Sequence, residues 1–519
     1  MPPPRRANDR DLALTIAVAF ALGLHVVAAR HSKGIWHFDE YFQVLEAMNY
    51  KLGRVAGRDL PWEFHDHIRS WLQPFLYWCV IAPARALGVV KPATWWGICN
   101  RISALLGWLS IITWAGSYRG WFRTVWANQL ALATLVSCFF LPMLHARTSS
   151  ENFSGTTFML ALGLLVRTTS LRPEEPPLSA LGTLRAVGIG LLLGAAFELR
   201  YQVGIMVAGA LAWCLWYRRI PRRALGCVLA GLVLALVLGW GVDAWGYHTW
   251  RVFPAVSYAR INVGEDRAAA FGTSPWWAYF GMLLEFATTP LAVFLWICFG
   301  VFWATQPRSL LTWVTLPFFV VHCAIGHKEM RFLFPMLYFA PTIVALTVQS
   351  AYRALERERA GRGVRSVALS LVLVGLGAKN VFLLARATTL PLEAKFAAAE
   401  RVDDIYIAGE KLFTVVVDSP FTFGNLPMLF YGRDESSWTK LPNVPALLEV
   451  LKQSESMPAL VWIRVADYVA LGDDLPSTCR IVWSSQEARG RLARWWQRVF
   501  GSQYLPRDDT RLLECRREA

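Results

Sequence analysis

WHFDEYFQVLEAMNYKLGRVAGRDLPWEFHDHIRSWLQP, residues Trp36–Pro74, lies between the first membrane-length apolar run and a second hydrophobic region. It carries Asp39, Glu40, Glu46, Glu63, Asp66, His37, His65, His67 and Arg69. Charges held that close to lipid are expensive to keep and point to function. Asp39, Gln43 and Glu46 fall at i, i+4 and i+7, and Phe42, Leu45 and Met48 form an apolar stripe beside them. That spacing predicts a helix lying flat in the interface, with its apolar side towards lipid and its carboxylates up. The plainer alternative makes Asp39 an N-cap and Glu40 a first-turn partner of the helix dipole.

Outward from this loop, composition sets the class. The chain has 519 residues, 55% of them hydrophobic, with 25 Trp and 30 Phe, and its mean hydropathy is +0.35. That much apolar surface predicts an all-α polytopic membrane protein. The net charge of +15 does not argue for nucleic acid, because the Lys and Arg residues cluster in short loops between spans. There they read as topology signals and headgroup contacts. Of the nine Cys, seven lie in apolar segments and read as small packing residues. Cys479 and Cys515 lie in the polar tail, where a disulfide forms only if the tail faces an oxidising compartment. No CxxC or HExxH motif occurs.

Residues 1–10 are basic and polar, and Asp11–Ala29 reads as an uncleaved first helix with a cytoplasmic N-terminus. Further spans are expected at 74–90, 95–117, 124–143, 152–168, 183–199, 200–217, 223–245, 289–304, 308–325, 331–350 and 364–385. Segment 74–90 is short and holds Pro83 and Arg85, so it reads equally as re-entrant, and the expected total is about eleven or twelve helices. The basic loops YRRIPRR (217–223) and 351–365 are anchored in the cytoplasm. Counting from them places the first loop (30–73), the second loop (246–288), residues 326–330 and the tail on the non-cytoplasmic side. In the second loop, SPWWAYFGMLLEFATTP reads as an interfacial helix with Trp276 and Trp277 at headgroup depth, or as an ordinary connector. The expected organisation is a transmembrane catalytic domain over 1–385 and a mixed α/β domain over 386–519. In the latter, IYIAGEKLFTVVVDSP and PALVWIRVADYV are β-rich, and VPALLEVLKQ and QEARGRLARWWQRVF read as helices.

The sharpest local signal is IGHKEMRFLFP, Ile325–Pro335. His327, Lys328 and Arg331 put two permanent cations and an imidazole at the mouth of a span, which suits an anionic phosphate at the membrane surface. Headgroup snorkelling accounts for Lys328 and Arg331; it does not account for Glu329 between them or for the imidazole. Two smaller clusters lie on the same side: His145, Arg147 and Glu151, and the pair Glu198 and Arg200 between two spans. The latter reads best as a buried pair locking helices together.

DEYFQVLE (39–46), WEFHDHIRS (62–70) with Pro74, and HKEMRF (327–332) resemble the signature segments of the Alg9-like and GPI mannosyltransferases, glycosyltransferase family 22. Three separated motifs occur in the right order, with a long first loop and a suitable span count. The chain departs from the pattern at Phe38, where Pro is usual, and reads PWEF where TWEW-like segments occur. The resemblance implies a GT-C fold and an inverting transfer of a hexose, mannose in most members, from a polyprenyl-phosphate donor. It implies Asp39, with Glu40 beside it, as the catalytic carboxylate. It places His327, Lys328 and Arg331 at the donor phosphate, and Glu63 and Arg69 around the sugar pocket; Arg147 and Glu329 are candidates for the same pocket on their charge and place in the chain. The expected partners are that donor, a lipid-linked glycan or glycolipid acceptor, and membrane lipids. The membrane is then a bacterial inner membrane with the site outward, or the ER membrane with a lumenal site.

The chemistry is consistent with the residues alone. Sugar transfer from a lipid phosphate needs a base on the acceptor hydroxyl and stabilisation of the leaving phosphate. Cationic side chains suffice for the latter, so no cofactor is expected. The first loop leaves room for a divalent ion, which the chemistry does not require. A transporter or flippase of lipid-linked sugars is the alternative. Such proteins place charges mid-span in repeated halves, whereas this chain shows no internal repeat and keeps its charges in loops.

Overall fold

A computed structural model describes residues 7–31, 34–169, 180–217, 220–357 and 362–390. Of the C-terminal part it describes 413–417, 422–423, 426–427, 438–441, 444–453, 459–472, 475, 477–484, 491–500 and 510–515. In chain order the helices begin with α1 (Ala7–His31), α2 (Glu46–Lys51), α3 (Trp62–His65), α4 (Leu72–Ala86), α5 (Pro92–Ser117), α6 (Val125–Ser137), α7 (Leu141–His145), α8 (Ser150–Thr169) and α9 (Ala180–Leu199). They continue with α10 (Gly204–Trp216), α11 (Arg222–Tyr247), α12 (Pro254–Ala259), α13 (Ala278–Ala287), α14 (Thr289–Thr305), α15 (Leu310–Ala324), α16 (Phe334–Leu337), α17 (Ala340–Arg357) and α18 (Arg362–Thr389). The C-terminal part adds α19 (Val444–Gln453), α20 (Val465–Leu471) and α21 (Arg491–Phe500), with strands β1 (Phe413–Val417), β2 (Thr422–Phe423), β3 (Leu426–Pro427), β4 (Trp438–Leu441), β5 (Ala459–Arg464), β6 (Cys479–Ser484) and β7 (Thr510–Cys515).

Each apolar run expected to span is largely helical. Among the described residues, five helices are long and apolar enough to cross a bilayer unaided, or up to seven if two bent pairs count as spans. The bent pairs are 289–305 with 310–324, at 118°, and 330–337 with 340–356, at 61°. Helices 125–137, 201–216 and 278–287 are apolar but shorter. The expected run 124–143 breaks at Cys138, after which α7 begins separately. The protein is an integral membrane protein.

The described chain divides into two compact units. One gathers residues 1–27, 66–73 and 101–388; the other gathers 28–65, 74–100 and 389–519. In the first, α9 and α11 pack backbone to backbone. A Cβ at Gly190 would collide with the Val228 carbonyl, and one at Gly231 with the Val187 carbonyl. Small residues let membrane helices approach this closely, and dispersion then holds them. Gly209 on α10 meets the Trp313 carbonyl on α15 in the same way.

In the second unit the C-terminal sheet has strand order β4-β1-β5-β7-β6. Strand β1 runs parallel to β4 and β5, while β7 runs antiparallel to β5 and β6. Leu460, Val461, Trp462 and Ile463 of β5 are all buried, which explains a continuous apolar run in a central strand. Leu447, Leu471 and Leu513 pack with Val461 and Ile463. Cys479 and Cys515 are directly opposed across β6 and β7 and are joined by a disulfide. The predicted mixed α/β character of the tail is therefore present in the part described.

The first-loop helix departs from its expected form. Residues 40–45 form a π-helix that passes into α2, and 40–49 are buried on every side. Single π-turns inside helices often accompany functional sites. The expected flat interfacial helix would leave its carboxylates in water. Instead Glu40 and Glu46 are buried and take partners from their own unit. The carbonyls that end α2 are capped from α4: Trp78 Nε1 donates to Lys51 O at 3.3 Å and Arg85 Nη1 to Leu52 O at 2.6 Å. Those carbonyls lack helical partners, so side chains supply the donors. This gives Arg85 its task within an otherwise apolar helix.

Candidate functional site

In the second unit, Asp39 and Glu40 are neighbours with different surroundings. Glu40 is 1% exposed and its Oε1 accepts the Trp36 N–H at 3.0 Å, so this carboxylate pins the entry of its own loop. The Asp39 side chain remains 21% exposed and lies 3.5 Å from His37 Nδ1. Of the pair, Asp39 is the one left accessible. Gln43 Nε2 donates to Glu63 Oε1 at 3.1 Å, which ties the DEYFQVLE segment to the PWEF segment. Asn49 links Glu46 to Arg54, at 3.2 and 3.0 Å, and Arg54 lies over the Trp95 ring. Lys51, at the end of α2, is pushed down to about 8 by burial.

In the first unit, the HKE-x-R segment forms a buried ionic cluster. Arg331 grips Glu329 with two parallel bonds, Nε to Oε2 at 2.7 Å and Nη2 to Oε1 at 2.9 Å. Its Nη1 donates to Glu151 Oε1 at 2.7 Å. The same Glu151 oxygen receives Arg200 Nη1 at 3.1 Å, and Arg200 also reaches Ser150 Oγ at 3.2 Å. Both guanidinium groups lie over Phe332, at 5.1 and 5.2 Å. Arg69 and Arg331 press on Arg200 electrostatically and Glu151 offsets them. Three guanidinium groups, Arg69, Arg200 and Arg331, thus stand with two carboxylates, Glu151 and Glu329, and the Lys328 ammonium belongs to the same segment. An excess of positive charge at low dielectric suits an anionic ligand.

His327 and Lys328 brace this cluster. His327 Nδ1 lies 2.9 Å from Gly272 O and Nε2 lies 3.0 Å from Glu329 Oε1. Lys328 Nζ donates to the carbonyls of Ser274 at 3.0 Å, Gly326 at 3.5 Å and Ile325. Burial holds the Lys328 ammonium below the ordinary lysine value. Ser274 N donates to Gly326 O at 2.9 Å. The second loop is therefore fastened to the HKE segment, and Lys328 serves that fastening through Ser274 while its other two bonds stay within its own turn.

The return of the first loop, 66–73, belongs to this unit. Tyr247 Oη donates to Arg69 O at 2.6 Å, and Asp243 accepts the Trp71 N–H at 2.7 Å. His67 adopts φ +53° with its ring edge-on to Tyr247 at 4.7 Å. A left-handed conformation at a non-glycine residue stores strain and persists where the surroundings dictate it. Gln73 Nε2 donates to Thr148 O at 2.8 Å, and Asp66 lies 3.9 Å from Arg267. Arg69 is thus positioned by α11 and by the turn before α8.

The sequence suggests a Glu198–Arg200 pair, and the structure separates the two. Arg200 breaks the chain between α9 and the next turn in an extended conformation, φ −157° and ψ 110°. The break carries its side chain to Glu151, while Glu198 packs on Gly239 and interacts with Asp243. Residues two apart do not share a helix face, which was the available warning. The trio His145, Arg147 and Glu151 also divides. Glu151 joins the cationic cluster. Arg147 is 1% exposed and its carbonyl accepts Asn152 Nδ2 at 2.7 Å. His145 Nδ1 lies 2.8 Å from His25 Nε2. Among the described residues no group of three or more His, Cys, Asp or Glu side chains is placed to hold a metal ion.

Comparison with known proteins identifies the family and the fold. Residues 16–409 match the model of the Alg9-like mannosyltransferase family. GPI mannosyltransferase 3 of Yarrowia lipolytica is 25% identical over 336 residues, 63% of this chain and 61% of that protein. A probable Dol-P-Man:Man(7)GlcNAc(2)-PP-Dol alpha-1,6-mannosyltransferase of Schizosaccharomyces pombe is 26% identical over 190 residues, 36% of this chain and 34% of that one. The match thus spans about six-tenths or less of these relatives' own length. Among solved structures, ArnT from Cupriavidus metallidurans bound to undecaprenyl phosphate superposes with a TM-score of 0.52 at 12% identity, covering 96% of this chain and 97% of that one. That likeness shows the fold, which is GT-C. With the family model matching more than half of its length, the chain belongs to the Alg9-like mannosyltransferase family.

Proposed function

We propose that the protein is an inverting glycosyltransferase that moves a hexose, mannose on the family's pattern, from a polyprenyl phosphate to a lipid-linked glycan or glycolipid acceptor on the non-cytoplasmic face. The observation that carries this reading is the Arg200–Glu151–Arg331–Glu329 network, in which each carboxylate is matched by a guanidinium, with Arg69 and Lys328 adding positive charge beside it. The names of the relatives, which speak of GPI and of a dolichyl-diphosphate glycan, support an acceptor of that class.

In this reading Asp39 takes the proton from the acceptor hydroxyl. The acceptor oxygen bonds to the anomeric carbon from the side opposite the phosphate, and the bond between that carbon and the phosphate oxygen breaks. The phosphate leaves as an anion, so no general acid is required. Arg200 and Arg331 offset the charge growing on it, acting where charge develops. Glu329 and Glu151 hold the two guanidinium groups in place, and His327 and Lys328 brace the segment that carries them. Arg69, Glu63 and Arg147 shape the sugar pocket.

The test uses the full chain in liposomes with radiolabelled polyprenyl-phosphate mannose and a lipid-linked acceptor. Loss of a general base lowers turnover by about 10²–10⁴-fold, so Asp39→Asn should lose transfer by that factor and keep donor binding. Arg331→Gln should instead weaken donor binding. Full activity in Asp39→Asn, or donor crossing the bilayer without transfer in the wild type, would overturn the proposal.

A further inference from the structure

The last described helix of the C-terminal part, α21, has no task in the chemistry above, and its surroundings give it one. Trp496 is 3% exposed and its Nε1 donates to Thr389 Oγ1 at 3.0 Å. Thr389 is the last residue of α18, and Gly363–Thr389 is apolar enough to cross the membrane. The contact ties α21 to Thr389, the residue at which the chain leaves α18.

The outer side of α21 is divided. Trp495 and Val499, one turn apart, are 50% and 52% exposed. Arg494 and Arg498, also one turn apart, are exposed beside them. In water the apolar pair would be a liability. At a membrane surface the same pair enters the acyl boundary and the arginines meet phosphate oxygens above it. Tryptophan prefers that depth, and guanidinium pairs with phosphate through two oxygens.

We propose that α21 is an interfacial helix that docks the C-terminal α/β part on the bilayer by binding anionic phospholipid headgroups. Each arginine near an anionic surface strengthens attachment by about fivefold, and two by roughly 25-fold. The measurement is hydrogen exchange of residues 491–500 in the full chain, in nanodiscs of phosphatidylcholine alone and of phosphatidylcholine mixed with phosphatidylglycerol. Exchange should slow by up to roughly 25-fold in the anionic discs. Arg494→Gln with Arg498→Gln should abolish that difference while β5 and β7 keep their protection, which separates lost docking from lost folding. Trp495→Ser with Val499→Ser should speed exchange in both disc types. Equal exchange of the wild type in the two lipids, or a difference that survives removal of both arginines, would overturn the assignment. So would protection that appears only on adding a lipid-diphosphate glycan.

Discussion

Glu151→Gln tests the ionic network directly. The change keeps the size of the side chain and one acceptor, and removes its charge. Glu151 is 1% exposed and holds two guanidinium groups on one oxygen, at 2.7 and 3.1 Å. Arg331 then still has Glu329 on two N–H groups. Arg200 is left with the neutral Ser150 hydroxyl and the Phe332 ring, and the two cations face each other without a carboxylate between them. Stranding a buried charge costs about 3–5 kcal/mol. Arg200→Met should be milder, because Glu151 remains paired with Arg331; losing charged hydrogen bonds costs about 1.5–3 kcal/mol. The double variant should therefore be more stable than Glu151→Gln alone, since it removes the stranded cation. Thermal unfolding of the full chain in nanodiscs reads this as a fall of several degrees for Glu151→Gln, partly restored in the double variant. A double variant that melts below Glu151→Gln would refute the reasoning, because the two residues would then not be partners.

Three further outcomes follow from the geometry. Glu40→Ala should open the loop around Trp36, seen as faster proteolysis there, because the Glu40 carboxylate holds the Trp36 N–H; Asp39→Asn should leave proteolysis unchanged. Gly246→Ala should destabilise the first unit by about 1–3 kcal/mol, the usual cost of overpacking, because the added methyl would enter the Trp71 ring; chemical denaturation measures it, and an unchanged midpoint would contradict the packing described. Lys51 is lowered from 10.5 to about 8 by burial, so below about pH 8 the folded state carries a desolvated charge. As pH rises from about 8 to 10.5 the folded form releases its proton first, and stability should increase over that window. The rise should be small, because the side chain is only part-buried, and Lys51→Met should flatten it in a pH series of melting curves.

Much of the fold was legible along the chain. Apolar runs of membrane length became helices at the expected places, because in lipid a backbone must satisfy its own hydrogen bonds. Segments 39–46, 62–70 and 327–332 are separated in sequence, yet their residue types already named the family. The surroundings of single charges were less legible. Nothing local distinguishes Glu40, pinned to a backbone N–H, from Asp39, which stays accessible. The spacing of Asp39, Gln43 and Glu46 suggested a one-sided surface helix; instead residues 40–49 are buried on all sides, with Glu63 as the polar partner of Gln43.

The sequence by itself determined the class of protein, its helical runs and the residue types at its candidate site, since these depend on composition, period and motif. Only the tertiary structure decided which charge meets which. Arg200 turns from Glu198, two residues away, to Glu151, forty-nine residues earlier, because an extended break in the backbone re-aims it. A buried cation must find its carboxylate in space rather than along the chain, and packing alone sets which one lies within reach.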